Sequence, residues 1–290
     1  MDGKQIQALD VDFSRSNADI SEEIVERVAA LSATPDDSLI VLADHAGARF
    51  HRLAAIVNPL RRRGYVVTRV FGRVIFGAGE VAPSRGVTFR EAFSTVAQYV
   101  HYQASHQYAG REIGYFEFGM FEGKTFTLAY QEMAANLGVR FCGFDSFEGI
   151  IGSLEEEDFR DETFFCNKRT FLHNLALASV DLERVNLWQG NFVTDLPKSG
   201  PIEGVSQTCM VAHIDCDVML PSKAALDFLT DKLVQGSVLM FDDYNAQCGS
   251  NKTGERAALH QWLAENPQFS VEPWFAYEGM AQVFFVHKDD

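Results

Sequence analysis

The chain has 290 residues, 47% of them hydrophobic and 22% charged, so it can bury a substantial core and does not have the composition of a disordered protein. Its 25 basic and 40 acidic residues give a formal net charge of −15 at pH 7, which repels phosphate backbones and excludes bulk nucleic-acid binding. The five cysteines show no CxxC spacing, which argues against a disulfide framework and against a zinc site.

The sequence shows no targeting or membrane-spanning segment. Its first residues lack the basic and apolar parts of a signal peptide. No apolar run approaches the ~20 residues that a membrane-spanning helix requires. We therefore expect a cytoplasmic protein that binds neither membranes nor nucleic acid, and we leave open whether it forms a homo-oligomer.

Residues 1–110 contain predicted helices and strands but no recognisable chemical motif. Helices are predicted over Ser21–Leu31, up to Gly64, and around His101, with strands over 38–43 and 65–70. We interpret this region as a lid, an oligomerisation element or an acceptor-binding part.

From Arg111 onward, strands alternate regularly with helices. The predicted strands are 111–119, 139–147, 184–192, 211–217 and 236–244, followed by two strands within 269–287. This alternation predicts an α/β fold: a doubly wound, Rossmann-like, seven-stranded sheet whose last strand is antiparallel, with the N-terminal region as an extension. Ligands of such sheets bind beyond the carboxyl ends of the strands.

A glycine loop follows the first of these strands. Gly119 and Gly123 are too close together for a phosphate-binding P-loop, and Phe121 stands where a dinucleotide fingerprint needs glycine. The loop therefore suits a small adenosine cofactor without a phosphate chain, with Glu117 supplying an anion. An ordinary strand-to-helix turn is the alternative interpretation.

The second strand ends in an acidic residue, Asp145, 22 residues after Gly123. A carboxylate at this spacing can accept hydrogen bonds from a ribose diol. The alternative is that Asp145 caps the next segment. Together with the glycine loop, Asp145 favours binding of a nucleoside cofactor.

Four aspartates close the fourth and fifth predicted strands: Asp215 and Asp217 on the fourth, and Asp242 and Asp243 on the fifth. Because neighbouring strands lie ~5 Å apart, we expect these carboxylates to converge, and a hard cation such as Mg²⁺ would relieve their repulsion. We predict that Asp215, Asp242 and Asp243 bind the metal. For Asp217 we favour helix capping or an ion pair, and for His213 a place in the core.

Taken together, these segments resemble the S-adenosylmethionine-dependent class I methyltransferases, and most closely the macrocin O-methyltransferase (TylF/MycF) family. The resemblance covers about three-fifths of the chain, and the predicted methyltransferase domain is 111–290. The segments that carry it are FEFGMFEGKT (116–125), GFDSFEG (143–149), NLWQGNFVTDLP (186–197), HIDCDVMLPSKAALDFL (213–229) and FDDY (241–244).

The resemblance implies a Mg²⁺-dependent enzyme that transfers a methyl group from S-adenosylmethionine to a hydroxyl of a small molecule such as a sugar or a natural product. The loop departs from the family, which commonly has a tryptophan and a basic residue where this chain has Phe121 and Glu122. The implied roles are the methionine end of the cofactor for Glu117, Gly119 and Gly123, its ribose for Asp145 and Ser146, its adenine for Gly190 and Asn191, and the metal for Asp215, Asp242 and Asp243.

Asp215 is the candidate catalytic base, and His101 or His106 is a second candidate. The acidic segment 152–165 either closes over the site or is a solvated insertion. Two other functions stay open: an NAD(P)-dependent oxidoreductase, which lacks its glycine fingerprint here, and a non-catalytic cofactor-binding protein.

Overall fold

A computed structural model describes residues 17–30, 39–44, 50–71, 87–136, 138–150 and 164–289. The acidic segment 152–165 lies outside these residues except for its last two. None of the helices in the described ranges combines the length and the apolar character needed to span a membrane.

The N-terminal elements form a small α/β unit, which we call the N-terminal unit. It comprises α1 (Asn17–Ala30), β1 (Leu39–Asp44), α2 (Phe50–Arg62) and β2 (Val66–Phe71), and its two strands are parallel. Helix α2 ends at Arg62, and Gly64, the predicted terminating glycine, follows two residues later with a positive φ of +85°. The unit has its own apolar cluster, formed by Ile20, Ile24, Ile40, Ile56, Val57, Leu60 and Val67.

A seven-stranded sheet carries the rest of the chain, in the order β5-β4-β3-β6-β7-β9-β8. Strands β3 to β7 are parallel, and β9 runs antiparallel to both of its neighbours, which confirms the predicted fold class. The strands are β3 (Ile113–Phe118), β4 (Val139–Asp145), β5 (Val185–Gln189), β6 (Cys209–Ile214), β7 (Leu233–Phe241), β8 (Phe269–Tyr277) and β9 (Ala281–Lys288).

Helices cover both faces of this sheet. One apolar cluster joins α3, α4 and α5 to one face, and a second joins α6, α7 and α8 to the other. The helices are α3 (Phe89–Ser105), α4 (Lys124–Met133), α5 (Lys168–Leu177), α6 (Phe192–Asp195), α7 (Met219–Leu229) and α8 (Gly254–Glu265). Strand order reverses between β3 and β6, and a ligand crevice is expected at their carboxyl ends.

Helix α3 packs on the large sheet, although it precedes the predicted domain start at residue 111. It begins with a capping box in which Thr88 and Glu91 exchange hydrogen bonds. Its first turn meets the β8–β9 turn, where the Glu278 side chain accepts a hydrogen bond from the Phe89 amide (3.0 Å). Its buried residues, including Phe93, belong to the core cluster of the sheet.

The ends of β3 and β6 approach each other unusually closely at Gly119. A Cβ atom at this position would lie 1.9 Å from the carbonyl oxygen of Asp215, and the φ of +84° also favours glycine. The packing of the chain itself therefore requires a glycine here. This contact places the glycine loop directly beside the strand that carries the aspartates.

Candidate functional site

Acidic residues from three neighbouring strands, β3, β6 and β7, gather on one face of the sheet at its carboxyl edge. Glu117 on β3 pairs in register with His213 on β6, which pairs with Met240 on β7. Two residues further along their strands, Asp215 and Asp242 follow on the same face. The topology therefore brings the predicted cofactor and metal residues to the crevice at the strand-order reversal.

Glu117 is fully buried beneath the glycine loop. The Tyr115 hydroxyl donates to one of its carboxyl oxygens, and the Thr125 hydroxyl donates to the other (2.7 Å). Burial raises the pKa of Glu117 to about 8, and repulsion from Asp242 and Asp145 adds to the effect. The raised pKa favours the protonated form of Glu117, and a cation beside it would favour the predicted anion.

Asp145 ties the glycine loop to the end of β4. One carboxyl oxygen accepts hydrogen bonds from the amides of Met120 (2.6 Å) and Phe121 (3.2 Å), and the other accepts one from Phe147 (2.7 Å). The Phe147 bond shows a local turn-forming role, in line with the capping alternative. A ribose diol would share a carboxylate that already accepts these three bonds.

The other predicted cofactor residues lie at the same edge, beyond β4 and β5. Ser146 forms a turn, since its hydroxyl donates to the carbonyl of Gly149 (2.9 Å). Asn191 caps α6 by accepting a hydrogen bond from the Val193 amide (2.9 Å), and the Gly190 amide donates to the Asp145 carbonyl (3.2 Å). Their contacts are those of turns and caps, and their roles toward a cofactor stay predictions.

Three carboxylates form a compact triad in the part of the chain that the structure describes. Asp215, Asp217 and Asp243 each offer an oxygen within 4.8 Å of the others. Asp217, for which we expected a capping or ion-pairing role, joins this triad because a left-handed backbone (φ +62°) turns the chain directly after β6. Lys223, a basic residue six positions further along, forms its ion pairs with Asp227 and Glu265.

Asp242 was predicted as a ligand but is not one of the three residues in this triad. It remains a close neighbour, since burial and then repulsion from Asp242 raise the pKa of Asp215 well above its usual range. Burial, with repulsion from Asp243 and Glu278, raises the pKa of Asp242 itself to about 7. Such a set of hard oxygen donors under mutual repulsion fits a divalent cation such as Mg²⁺.

Glu255, in the first turn of α8, holds the two acidic strand ends together. This fully buried carboxyl group accepts hydrogen bonds from the amides of Cys216 (3.1 Å) and Asp243 (3.0 Å). Burial and repulsion from Asp243 and Asp242 raise its pKa well above the usual range. The sequence did not single it out, because a glutamate in a first helical turn is ordinary dipole compensation.

His213 is a core residue, as predicted. Its ring lies 5.4 Å from that of Phe93, and neither ring nitrogen has a hydrogen-bond partner among the described residues. Burial lowers the pKa of His213 to about 3, so the ring is neutral. The buried hydroxyl of Tyr277 also lacks a partner among those residues.

The two histidines proposed as alternative bases lie far from the carboxylates. His101 is about 18 Å along α3 from Phe89, at 1.5 Å per residue. Its Nε2 atom lies 3.1 Å from the carbonyl of Glu132, near the end of α4 that is remote from the glycine loop. His106 stacks on Tyr102, one turn further along. This hypothesis was wrong, because α3 runs away from the carboxyl edge.

Solved methyltransferase structures share this fold. The O-methyltransferase NovP matches with a TM-score of 0.53 and 16% identity, over 69% of this chain and 80% of NovP. The calicheamicin methyltransferase CalS11 matches with a TM-score of 0.50 and 12% identity, over 98% of this chain and 99% of CalS11. No protein-family model matches the sequence, and no curated protein is similar to it. These likenesses show the fold.

The raised pKa of Glu117 predicts a measurable pH dependence of stability. Between its usual value of 4.5 and about 8, the folded protein holds a proton that the unfolded chain releases. The Glu117 contribution to the free energy of unfolding therefore falls as pH rises through this range, by up to about 1.4 kcal/mol per pH unit. Urea unfolding of wild type and Glu117→Gln in metal-free buffer should show the steeper fall for wild type. If the free energy of unfolding of the two proteins falls equally with pH, the raised pKa of Glu117 is contradicted.

Proposed function

We propose that the chain is an S-adenosylmethionine- and Mg²⁺-dependent O-methyltransferase, acting on a hydroxyl of a small molecule such as a sugar or a natural product. The observation that carries this proposal is the triad of Asp215, Asp217 and Asp243, which lies beside a glycine loop at the strand-order reversal. Shared fold with NovP, an O-methyltransferase, and with CalS11, a calicheamicin methyltransferase, supports the choice of reaction and of acceptor class.

S-adenosylmethionine would supply an electrophilic methyl group on a sulfonium cation. The buried Glu117 is suited to a cation, because a positive charge nearby would stabilise its ionised form. Gly119 and Gly123, both at positive φ, would give the loop the backbone shape that faces the methionine end. Asp145 with Ser146 would face the ribose, and Gly190 with Asn191 would flank the adenine.

The proposed metal ligands are the oxygens of Asp215, Asp217 and Asp243, with Asp242 contributing charge at close range. A cation held there would lower the pKa of an acceptor hydroxyl. Glu255 would keep the ligands in place through the amides of Cys216 and Asp243. The chain thus supplies alignment of the acceptor and charge compensation.

Asp215 is the proposed base. The Asp215 carboxylate would take the hydroxyl proton as the acceptor oxygen gains the methyl group and that group's bond to its donor breaks. In-line alignment of oxygen, carbon and sulfur would supply most of the remaining rate.

Binding calorimetry, together with an assay of methyl transfer, tests the proposal against the two other functions. We expect S-adenosylmethionine to bind and NAD not to bind, and we expect methyl transfer from a panel of hydroxylated sugars and glycosides to require Mg²⁺. Binding of NAD alone would indicate an oxidoreductase. Cofactor binding without turnover on any acceptor would favour a non-catalytic protein.

The ligand set makes a sharper prediction. Asp217→Asn should weaken Mg²⁺ binding by tenfold or more, because it removes a coordinating charge, whereas Asp242→Asn should weaken it only a few-fold. Titration with Mn²⁺ in place of Mg²⁺, followed by electron paramagnetic resonance, measures the metal affinity of both variants. Asp181→Asn is the control. Asp181 caps a turn distant in sequence, and asparagine caps equally well. The reverse order of effects would restore Asp242 as the ligand.

A further inference from the structure

A buried arginine of the N-terminal unit reaches the glycine loop. The Arg61 side chain, at the end of α2, is 1% exposed and forms an ion pair with Glu122, which is 14% exposed. Its other hydrogen bonds go to the carbonyl oxygens of Val67 (3.0 Å) and Phe165 (3.1 Å). Its guanidinium also lies 5.8 Å from the centre of the Phe121 ring. Arg61 thus contacts two consecutive loop residues.

Residues at the start of α5 and within it also link the N-terminal unit to the glycine loop. The Asn167 amide donates to the carbonyls of Arg61 (2.6 Å) and Tyr65 (3.0 Å). Asn174 donates to the carbonyl of Glu122 (3.0 Å) and accepts a hydrogen bond from the Thr68 hydroxyl (3.1 Å). Glu122 is therefore held through both its side chain and its backbone by groups that also hold the N-terminal unit.

The loop needs such an anchor, because its backbone is strained. Phe121 has a φ of +45°, in the left-handed region that is unfavourable for a residue other than glycine. On its inner side, the amides of Met120 and Phe121 are fixed by Asp145. On its outer side, the anchor is Glu122. Strain of this kind persists only where the surroundings hold it from both sides.

The ion pair also makes movement of the N-terminal unit away from the loop unfavourable. A guanidinium that is 1% exposed loses more by being left unpaired than a surface group would. Movement of the N-terminal unit away from the loop would break the bonds to Glu122 and release the outer anchor. Conversely, a ligand that orders the loop would favour the docked unit.

We propose that Arg61 and Glu122 couple docking of the N-terminal unit to cofactor binding at the glycine loop, with Arg61 as a positioning residue. The proposal rests on the proposed function of the loop as a cofactor site. Coupling of this kind is reciprocal: docking raises affinity for the cofactor, and the cofactor stabilises docking by the same free energy. It assigns a role to a region in which the sequence showed no chemistry.

The test compares the full-length wild type with Glu122→Gln, which keeps the shape of the side chain but removes its charge. We expect at least fivefold weaker binding of S-adenosylhomocysteine to the variant by calorimetry. We also expect the ligand to slow amide hydrogen exchange over residues 56–68 in wild type and not in the variant. Glu132→Gln is the matched control, because Glu132 pairs with Arg90 on the surface (3.0 Å).

Three outcomes overturn the coupling, and they are distinguishable. If wild type does not bind S-adenosylhomocysteine, the proposed function fails and the coupling fails with it. If wild type and Glu122→Gln bind with equal affinity, the function stands and the coupling is wrong. If the variant binds weakly but the ligand never protects residues 56–68, Glu122 acts on the loop alone. A purely structural ion pair would lower the melting temperature without moving the ligand-dependent exchange.

Discussion

Repulsion among buried carboxyl groups is the constraint on which the rest of this site depends. Burial and mutual repulsion hold the pKa of Asp215 and Glu255 well above their usual range, and that of Asp242 at about 7. Such a cluster is costly for a folded protein unless a cation compensates it. The close contact of Gly119 with Asp215 brings the glycine loop against this cluster, so cofactor and metal chemistry would meet at one point.

Part of the formal charge of −15 can be assigned to particular places in the structure. Part of it is concentrated where β3, β6 and β7 end, in positions that a sulfonium and a divalent cation would neutralise. Glu122 uses its charge differently, since it compensates the buried Arg61. The loop thus lies between two electrostatic anchors, Asp145 on the inside and Arg61 on the outside.

The features of the molecule that follow from strand periodicity and parallel topology were predictable from the sequence. Alternation of strands and helices was enough for the sheet, and strand ends were enough to gather Glu117, Asp145 and Asp215. It did not predict the place of Asp217, which depends on a left-handed backbone at a non-glycine residue. Nor could it relate Arg61 to Glu122, 61 residues apart in the chain.

Proton release on Mg²⁺ binding tests most directly whether a divalent cation relieves the repulsion within the carboxyl cluster. Calorimetric titration of the metal-free protein at pH 7, repeated in buffers of different ionisation enthalpy, counts the protons released. Because the pKa of Asp215 is raised and that of Asp242 is about 7, the account predicts release of about one proton or more per Mg²⁺ bound. Binding of Mg²⁺ without proton release, or no binding, would contradict it.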